Sequence, residues 1–420
     1  MANQSGMIER IRWVVAGIRA AADENARVIN LTPSETRISP LARLPLGSDF
    51  YNRYFFNDRA DPDFWEFRGG QQIAGFERDV AIAALCRLAR CQFANVRPLS
   101  GLSAMALVVS ALAGNKGQHV LCLARSSGGH FATASLLRRY GYTPRPLTIE
   151  HGRLCLTDTE GILRRGETSL VYLDVQNTLL QPQIALMVDQ VRSVNPEVLI
   201  HFDASHTLGL ILGNVHSNPL ECGADSFGGS THKTFPGPQK GVVFTDSSEI
   251  EERLTSAQFD LISSHHFAET ISLGLAALEF EVFGAEYASR VLENSVILAA
   301  GLHDRGFDVI GVPPRFTDNH QVWVHIGTAA ETSRLSTLLY QSGIRVNTQG
   351  YMPGLPGPTF RLATNEITHE GATTETIRLL VDVIARVRAD GQPIANAGTH
   401  VRDSYGHPHF FSQSDVDAFL

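Results

Sequence analysis

Ser230-Thr231-His232-Lys233-Thr234 is the stretch where residue types and spacing most suggest chemistry. It follows an Ala-Asp-Ser-Phe-Gly-Gly approach and leads through Phe235-Pro236-Gly237-Pro238 into the apolar run Gly241-Val242-Val243-Phe244. Lys233 is therefore expected on a loop between two short strands. An amine held there, with a carboxylate upstream at Asp203, suits a Schiff-base lysine. Lys233 would carry pyridoxal phosphate, and Asp203 would pair with the pyridinium nitrogen. A surface lysine in a turn is the plain alternative. Ser230-x-x-Lys233 also spells the S-x-x-K string of penicillin-recognising serine hydrolases. There the serine opens a helix and a K-T-G follows; here Pro236 and Pro238 forbid a helix and the chain has no K-T-G.

Other polar residues fall at matching places along the chain. From Phe93 onward the pattern is strand, polar tip, helix, repeated, as in a mostly parallel sheet. Ligands of such sheets bind outside the carboxyl ends of the strands. Ser100, His130, Gln176, Asp203 and His206 all fall at such ends. Ser100-Gly101-Leu102-Ser103 opens a helix, where free N–H groups and the dipole favour a phosphate. No GxGxxG or Walker string occurs, which counts against dinucleotides and nucleoside triphosphates. Arg361, in the apolar strand Phe360-Arg361-Leu362-Ala363, must find an anion. A structural carboxylate would serve; the sharper expectation is a bidentate grip on a substrate carboxylate.

The elements that must position these groups follow. With 420 residues, two or more domains are expected. Residues 1–45 read as an N-terminal arm, with a helix over about 7–28. Residues 46–290 read as a large cofactor-binding domain, 291–395 as a small α+β domain, and 396–420 as a tail expected to be disordered. Two helices are expected, about 269–283 and 287–305, the second leading out of the large domain. Ser34, in Leu31-Thr32-Pro33-Ser34-Glu35-Thr36, is expected to cap a helix or to meet a ligand carboxylate, and the sequence favours the cap. Residues 49–70 are aromatic and irregular, ending in Arg68-Gly69-Gly70.

A net charge of −8, not clustered, argues against nucleic acid or an anionic membrane as partner. No run of about 18 apolar residues occurs, so no membrane span is expected. Five scattered cysteines lack disulfide or metal spacing. With no signal peptide, they point to a reducing cytoplasm. No metal is expected.

In order, these segments resemble serine hydroxymethyltransferase and its relatives, pyridoxal-phosphate enzymes of the aspartate-aminotransferase fold, over roughly residues 28–390. Leu31–Thr36 is similar to the family's substrate-binding LIASEN segment, and Asn52-Arg53-Tyr54 to its NKY. Ala94-Asn95-Val96 with Ser100-Gly101 resembles its phosphate loop, and Gly128-Gly129-His130 its GGH. Asp203-Ala204-Ser205-His206 resembles its D-x-A-H, Ser230–Thr234 its T-T-H-K-T, and Arg361–Thr364 its R-I-G-T. The resemblance implies fold type I: an α/β large domain with a mostly parallel seven-stranded-type sheet, and a small α+β domain.

It implies Lys233, Asp203, His130 and Tyr54 as catalytic residues, with His130 stacked on the cofactor ring. Ser100, Gly101, Leu102, Gln176, His206, Ser230, His232, Ser264 and His265 join them around the cofactor. Ser34, Tyr54, Phe56, Arg68 and Arg361 would face the amino-acid substrate. A homodimer with shared sites is implied, with the turn at Ser264-His265 facing the neighbour's phosphate.

Several positions depart from the family. Phe56 stands where the folate-linked acid–base glutamate is expected, and a phenyl ring transfers no proton. Arg68 replaces a tyrosine, Leu102 the second serine of the phosphate loop, and Gln239 an arginine. The cofactor apparatus is thus retained while the reaction is expected to differ. The chain is similar to a divergent branch of specialised metabolism, the cysteine S-conjugate enzymes of lincosamide antibiotic pathways. That likeness implies β-elimination of a C–S bond. Decarboxylation-coupled oxidative deamination and aldol-type hydroxymethyltransferase chemistry are the alternatives.

Overall fold

The structure, a computed structural model, describes residues 2–54, 67–115, 117–150 and 152–419. Its centre is an eight-stranded sheet. In chain order the strands are β1 (Phe93–Asn95), β2 (His119–Leu123), β3 (Thr143–Glu150), β4 (Arg153–Cys155), β5 (Thr168–Asp174), β6 (Leu199–Asp203), β7 (Ser226–Ser230) and β8 (Gly241–Thr245). They lie side by side as β1-β8-β7-β6-β5-β2-β3-β4. The run β3-β2-β5-β6-β7 is parallel, while β4, β8 and β1 add antiparallel edges. The expected seven-stranded-type sheet thus carries one strand more. Strands β5 to β8 are buried almost throughout, as a sheet covered by helices on each side requires.

All the parallel strands run the same way, so their carboxyl ends share one edge. Ala124–His130 follows β2, Gln176-Asn177 follows β5, Ala204–His206 follows β6 and Lys233 follows β7. Gly128 makes the first of these turns possible. Its φ is +91°, and a Cβ there would lie 2.3 Å from the Asn177 carbonyl oxygen.

A second, four-stranded sheet lies toward the C-terminus, in the order β9 (Asp308–Val309), β10 (Gln321–His325), β12 (Thr359–Ala363), β11 (Asn347–Gln349), all antiparallel. Its own apolar core is built on Val322, Val324, Phe360 and Leu362. A single 38-residue helix, Phe267–Asp304, joins the two cores. The two helices expected there are continuous because the intervening Gly284 costs only about 1 kcal/mol in a helix. Buried neighbours on both sides, Phe280 and Tyr287, hold it in register.

Two further expectations are corrected. Ser34 caps nothing; Ser39 caps the short helix Pro40–Arg43 by accepting from the Ala42 N–H. The tail is ordered: it forms helices at Ala397–Arg402 and Gln413–Phe419, and Phe410 packs on His369 and Tyr287. The aromatic side chain supplied the apolar area that a composition reading of the tail overlooked.

The N-terminal helix Ala2–Asn25 exposes Met7, Ile8, Ile11, Trp13, Val14 and Ile18 along its length. No helix among the described residues is long and apolar enough to cross a membrane. Among them, no cluster of His, Cys, Asp and Glu could hold a metal ion.

Buried charge beside the start of β8 sets one stability prediction. Glu77 accepts from Arg97 Nε at 2.8 Å and pairs with His265 Nε2 at 2.6 Å. Lys240 Nζ donates to the His265 carbonyl at 2.8 Å. Burial alone would raise the Glu77 carboxyl, but Arg97 and His265 together outweigh it and hold it far below the usual range. A depressed carboxylate contributes stability that is present above its unfolded value, about 4.3. That stability is lost as pH falls through the folded value. Glu77→Leu strands the buried cations and is expected to cost about 3–5 kcal/mol at pH 7. The gap between wild type and variant, read from urea midpoints, should narrow as pH falls below about 4.

Candidate active site

A cavity of about 410 Å³, counting its open mouth, sits at the carboxyl edge of the parallel strands. Gly101, Leu102, His130, Gln176, Asp203, His206, Ser230 and Lys233 line it, each of them expected from the sequence. Met105, Asp174, Val175 and Ser205 line it as well.

Lys233 follows β7 in a turn pinned by Thr36, whose hydroxyl donates to the Lys233 carbonyl and whose N–H donates to the His232 carbonyl. Its amine has no hydrogen-bond or ion-pair partner among the described residues. Burial pulls the amine down to about 8, with Asp203 opposing and Arg361 assisting. A neutral amine is the nucleophilic form.

Asp203 ends β6 and is held from both oxygens. Tyr172 Oη donates to one at 2.7 Å and the Ser205 N–H to the other at 2.9 Å. The Ser205 hydroxyl in turn accepts from the Ser230 N–H at 3.0 Å, tying the Asp203 loop to the lysine strand. Tyr172 was not foreseen. Its hydroxyl inside the apolar run Leu170-Val171-Tyr172-Leu173 was the available signal, since a buried phenol needs a partner.

His130 is aimed by Asp174, another residue the sequence reading missed. Asp174 accepts from the His130 N–H at 2.9 Å and from the Thr133 hydroxyl, and burial pushes its carboxyl up to about 8. His130 Nδ1 accepts from the Ala132 N–H at 3.2 Å, so the neutral ring carries its proton on Nε2. Burial lowers the His130 pKa, Asp203 partly opposing.

At the opposite wall, Ser100 caps the helix Gly101–Leu112 by accepting from the Ser103 N–H at 3.1 Å. Ser100 is absorbed in that cap, while the first amides of the helix, on Gly101 and Leu102, are left without protein acceptors among the described residues. A Cβ on Gly101 would sit 2.1 Å from Ser230 Oγ, so only glycine lets this helix start press against β7. His232 leaves a buried Nδ1 without a partner.

Arg361, 3% exposed on β12, reaches toward the same region from the small domain. Its Nε donates to Asn347 Oδ1 at 3.2 Å and an Nη to Asn177 Oδ1 at 2.9 Å. Among the described residues no carboxylate pairs with it, and burial pulls it down to about 10. Leu31, just before Ser34, accepts from the Ala363 N–H at 2.9 Å, so the Ser34 segment runs beside the Arg361 strand.

Other expected residues lie elsewhere. The His265 ring is bound to Glu77, and neither it nor Ser264, both expected at a neighbour's phosphate, lines the cavity of its own chain. Tyr54 is exposed and meets Phe67 edge-on at 4.7 Å. Arg68 donates to Gln71 at 3.0 Å. Neither lines the cavity of its own chain. Phe56 lies outside the described residues.

The residues present fit pyridoxal phosphate. An unpaired buried amine, a braced carboxylate, an imidazole on the cavity wall and a helix start with unused N–H groups are the parts it needs.

The comparisons agree. Residues 187–384 match the serine hydroxymethyltransferase family. An L-threonine:uridine-5'-aldehyde transaldolase from a Streptomyces species is 45% identical over 405 residues, 96% of this chain and 98% of that protein. Serine hydroxymethyltransferase of Korarchaeum cryptofilum is 30% identical over 433 residues, 96% of this chain and 94% of its own. An L-threonine transaldolase from Pseudomonas fluorescens, solved in its internal aldimine state, superposes with a TM-score of 0.82. It is 26% identical and covers 100% of this chain and 98% of its own. The expected likeness to lincosamide S-conjugate enzymes gives way to these transaldolases. With whole-length similarity on one side and a lysine–aspartate–histidine cavity on the other, the chain belongs to the serine hydroxymethyltransferase family of pyridoxal-phosphate enzymes.

Proposed function

We propose that this enzyme is a transaldolase that cleaves L-threonine to acetaldehyde and joins the remaining two-carbon amino-acid unit to a second aldehyde. The acceptor proposed is uridine-5'-aldehyde or a similar nucleoside aldehyde. The observation that carries this reading is 45% identity over 96% of the chain to a protein of that activity. It moves aldol-type chemistry ahead of the β-elimination favoured by the sequence. A nucleoside acceptor would also suit the specialised metabolism in which the sequence reading placed the chain.

Bound pyridoxal phosphate supplies the electron sink for the pair left on Cα when the Cα–Cβ bond breaks. The protein's own residues then divide the work. Lys233 gives a neutral amine, Asp203 would meet the pyridine nitrogen, and Tyr172 and Ser205 keep that carboxylate from turning. The free amides of Gly101 and Leu102 would hold the phosphate. Arg361 takes the substrate carboxylate, and its two amide partners, Asn177 and Asn347, hold the guanidinium plane without neutralising it. Fixing the carboxylate on Arg361 would set which Cα bond is placed to break, and so separate aldol cleavage from decarboxylation.

Incubation with L-threonine alone, and separately with S-alkyl cysteines, tests the reading. Acetaldehyde from threonine is expected. Pyruvate and ammonia from the cysteine conjugates, with no acetaldehyde from threonine, would return the enzyme to elimination.

The same proposal includes a homodimer with shared sites. The apolar stripe of the Ala2–Asn25 helix has no cover among the described residues of its own chain, and Tyr54 and Arg68 do not line their own cavity. A second copy would cover the first and receive the others. Deleting residues 2–25 is expected to shift the enzyme from dimer to monomer in light scattering. It should also lower activity at micromolar concentration.

A further inference from the structure

The cavity is too small for everything that the proposed reaction brings to it. At about 410 Å³, open mouth included, it lies near the low end of the roughly 300–1,000 Å³ that enclose one drug-sized ligand. The cofactor and the amino-acid donor claim that space, because Lys233, Asp203 and the first residues of the Gly101–Leu112 helix line it. A nucleoside aldehyde need bring only its carbonyl carbon inside. Its base must then rest on the rim, and the rim has to offer a surface for it.

Phe131 offers one. It follows His130, which lines the cavity, and the two rings meet with centroids 4.5 Å and planes 36° apart. Yet Phe131 is 66% exposed. Single exposed apolar side chains are ordinary; this one differs in its place on the wall histidine and in the rigidity of its backbone. Before it, the His130 N–H donates to Asp174 Oδ2 at 2.9 Å. After it, the Ala132 N–H donates to His130 Nδ1 at 3.2 Å, and the Thr133 hydroxyl donates to Asp174. Arg125, at the start of the same turn, holds its guanidinium 4.7 Å over the Tyr351 ring of the small domain. The turn is thus fastened at both ends. A ring held in water by a fixed backbone has its ordering cost met before any ligand arrives, which is what a stacking anchor requires. Leu102, a lining residue that is 50% exposed, adds apolar surface to the mouth.

We propose that Phe131 is the platform on which the base of the acceptor nucleoside stacks, and so the residue that makes this site prefer a nucleoside aldehyde to an aldehyde without a base. This rests on the transaldolase reading. Stacking asks only for a planar π face, so the contact holds uracil without reading its edges. The contact is the same before and after the new carbon–carbon bond forms. It therefore acts through the KM of the acceptor and leaves kcat largely alone. Threonine carries no ring and gains nothing from Phe131.

The test uses the cofactor-loaded enzyme, L-threonine and two acceptors. One is uridine-5'-aldehyde; the other is the 5-aldehyde of methyl ribofuranoside, which keeps the sugar and lacks the base. The readout is the ratio of their kcat/KM values for the new β-hydroxy amino acid. Wild type is expected to favour the nucleoside by about 10- to 100-fold. Phe131→Ala should bring the ratio to within about threefold of one, chiefly by raising KM for the uridine aldehyde. Phe131→Leu, apolar but without a π face, should lose most of the preference, and Phe131→Trp should keep it. A structural role, passed through His130 or through a subunit contact, would slow both acceptors alike and leave the ratio in place. That result overturns the proposal alone, as does a wild-type ratio near one, or acetaldehyde released from threonine while neither sugar aldehyde is joined. Wild-type enzyme that releases no acetaldehyde and joins neither aldehyde removes the transaldolase reading, and the platform falls with it.

Discussion

Lys233→Ala is expected to lose activity by on the order of 10³-fold or more, because it removes the only side-chain amine lining the cavity among the described residues. Borohydride reduction should fix the cofactor irreversibly to the wild-type chain and leave the variant unlabelled. Purified wild-type protein should be yellow. The structural reason is the state of this amine before any ligand arrives. It is buried, has no ion-pair partner among the described residues, and is drawn down to about 8 by burial. A lysine kept for fold stability would be paired, as Lys240 is with the His265 carbonyl. The variant should therefore keep its fold, with a melting temperature equal to or above the wild type. If it unfolds, Lys233 is structural.

Arg361→Met is the second large effect. A carboxylate on the guanidinium makes two charge-assisted bonds of about 1.5–3 kcal/mol each. Their loss amounts to about 3–6 kcal/mol, or about 10²- to 10⁴-fold in kcat/KM for threonine. Arg361→Lys should recover little, since a point charge cannot span Asn177, Asn347 and a carboxylate together. Stability should move the other way. The wild-type protein holds a cation that is 3% exposed against two neutral amides, which is costly. Methionine removes that cost, so the melting temperature should stay level or rise while activity falls. Loss of both would mean that Arg361 serves the core.

The residues legible in the sequence were those marked by local pattern. Lys233, Asp203 and His130 each follow an apolar strand with an abrupt polar tip, and a parallel sheet gathers such tips at one edge whatever the details of packing. Arg361 was legible for another reason: an arginine in Phe-Arg-Leu-Ala has no cheap place to go. The supporting residues were hidden because their roles depend on register and domain placement. Asn347 meets Arg361 only because β11 and β12 pair antiparallel at that position. His320 reaches His206 only through the docking of the small domain. Thr317-Asp318-Asn319-His320 stood in plain view as a polar run before a strand, yet nothing local told where its side chains would point.

His265 had a partner that no local pattern could show: its ring is bound to Glu77, a residue 188 positions away. Phe410 made the same point in the tail: its stacking on His369 ordered a segment whose composition suggested none. The lincosamide expectation failed for a chemical reason. The loss of a glutamate at Phe56 excludes one route for a proton, but it does not say which reaction remains, because several reactions share the same cofactor cradle.

The most direct measurement follows the Cα carbon. L-threonine labelled with ¹³C at Cα is mixed with enzyme, pyridoxal phosphate and the proposed nucleoside aldehyde, and the products are resolved by NMR. The account predicts acetaldehyde and a new β-hydroxy amino acid in equal amounts, with the label at the α-carbon of the latter. Label recovered as a 2-oxo acid or as carbon dioxide, with no new carbon–carbon bond, would contradict it.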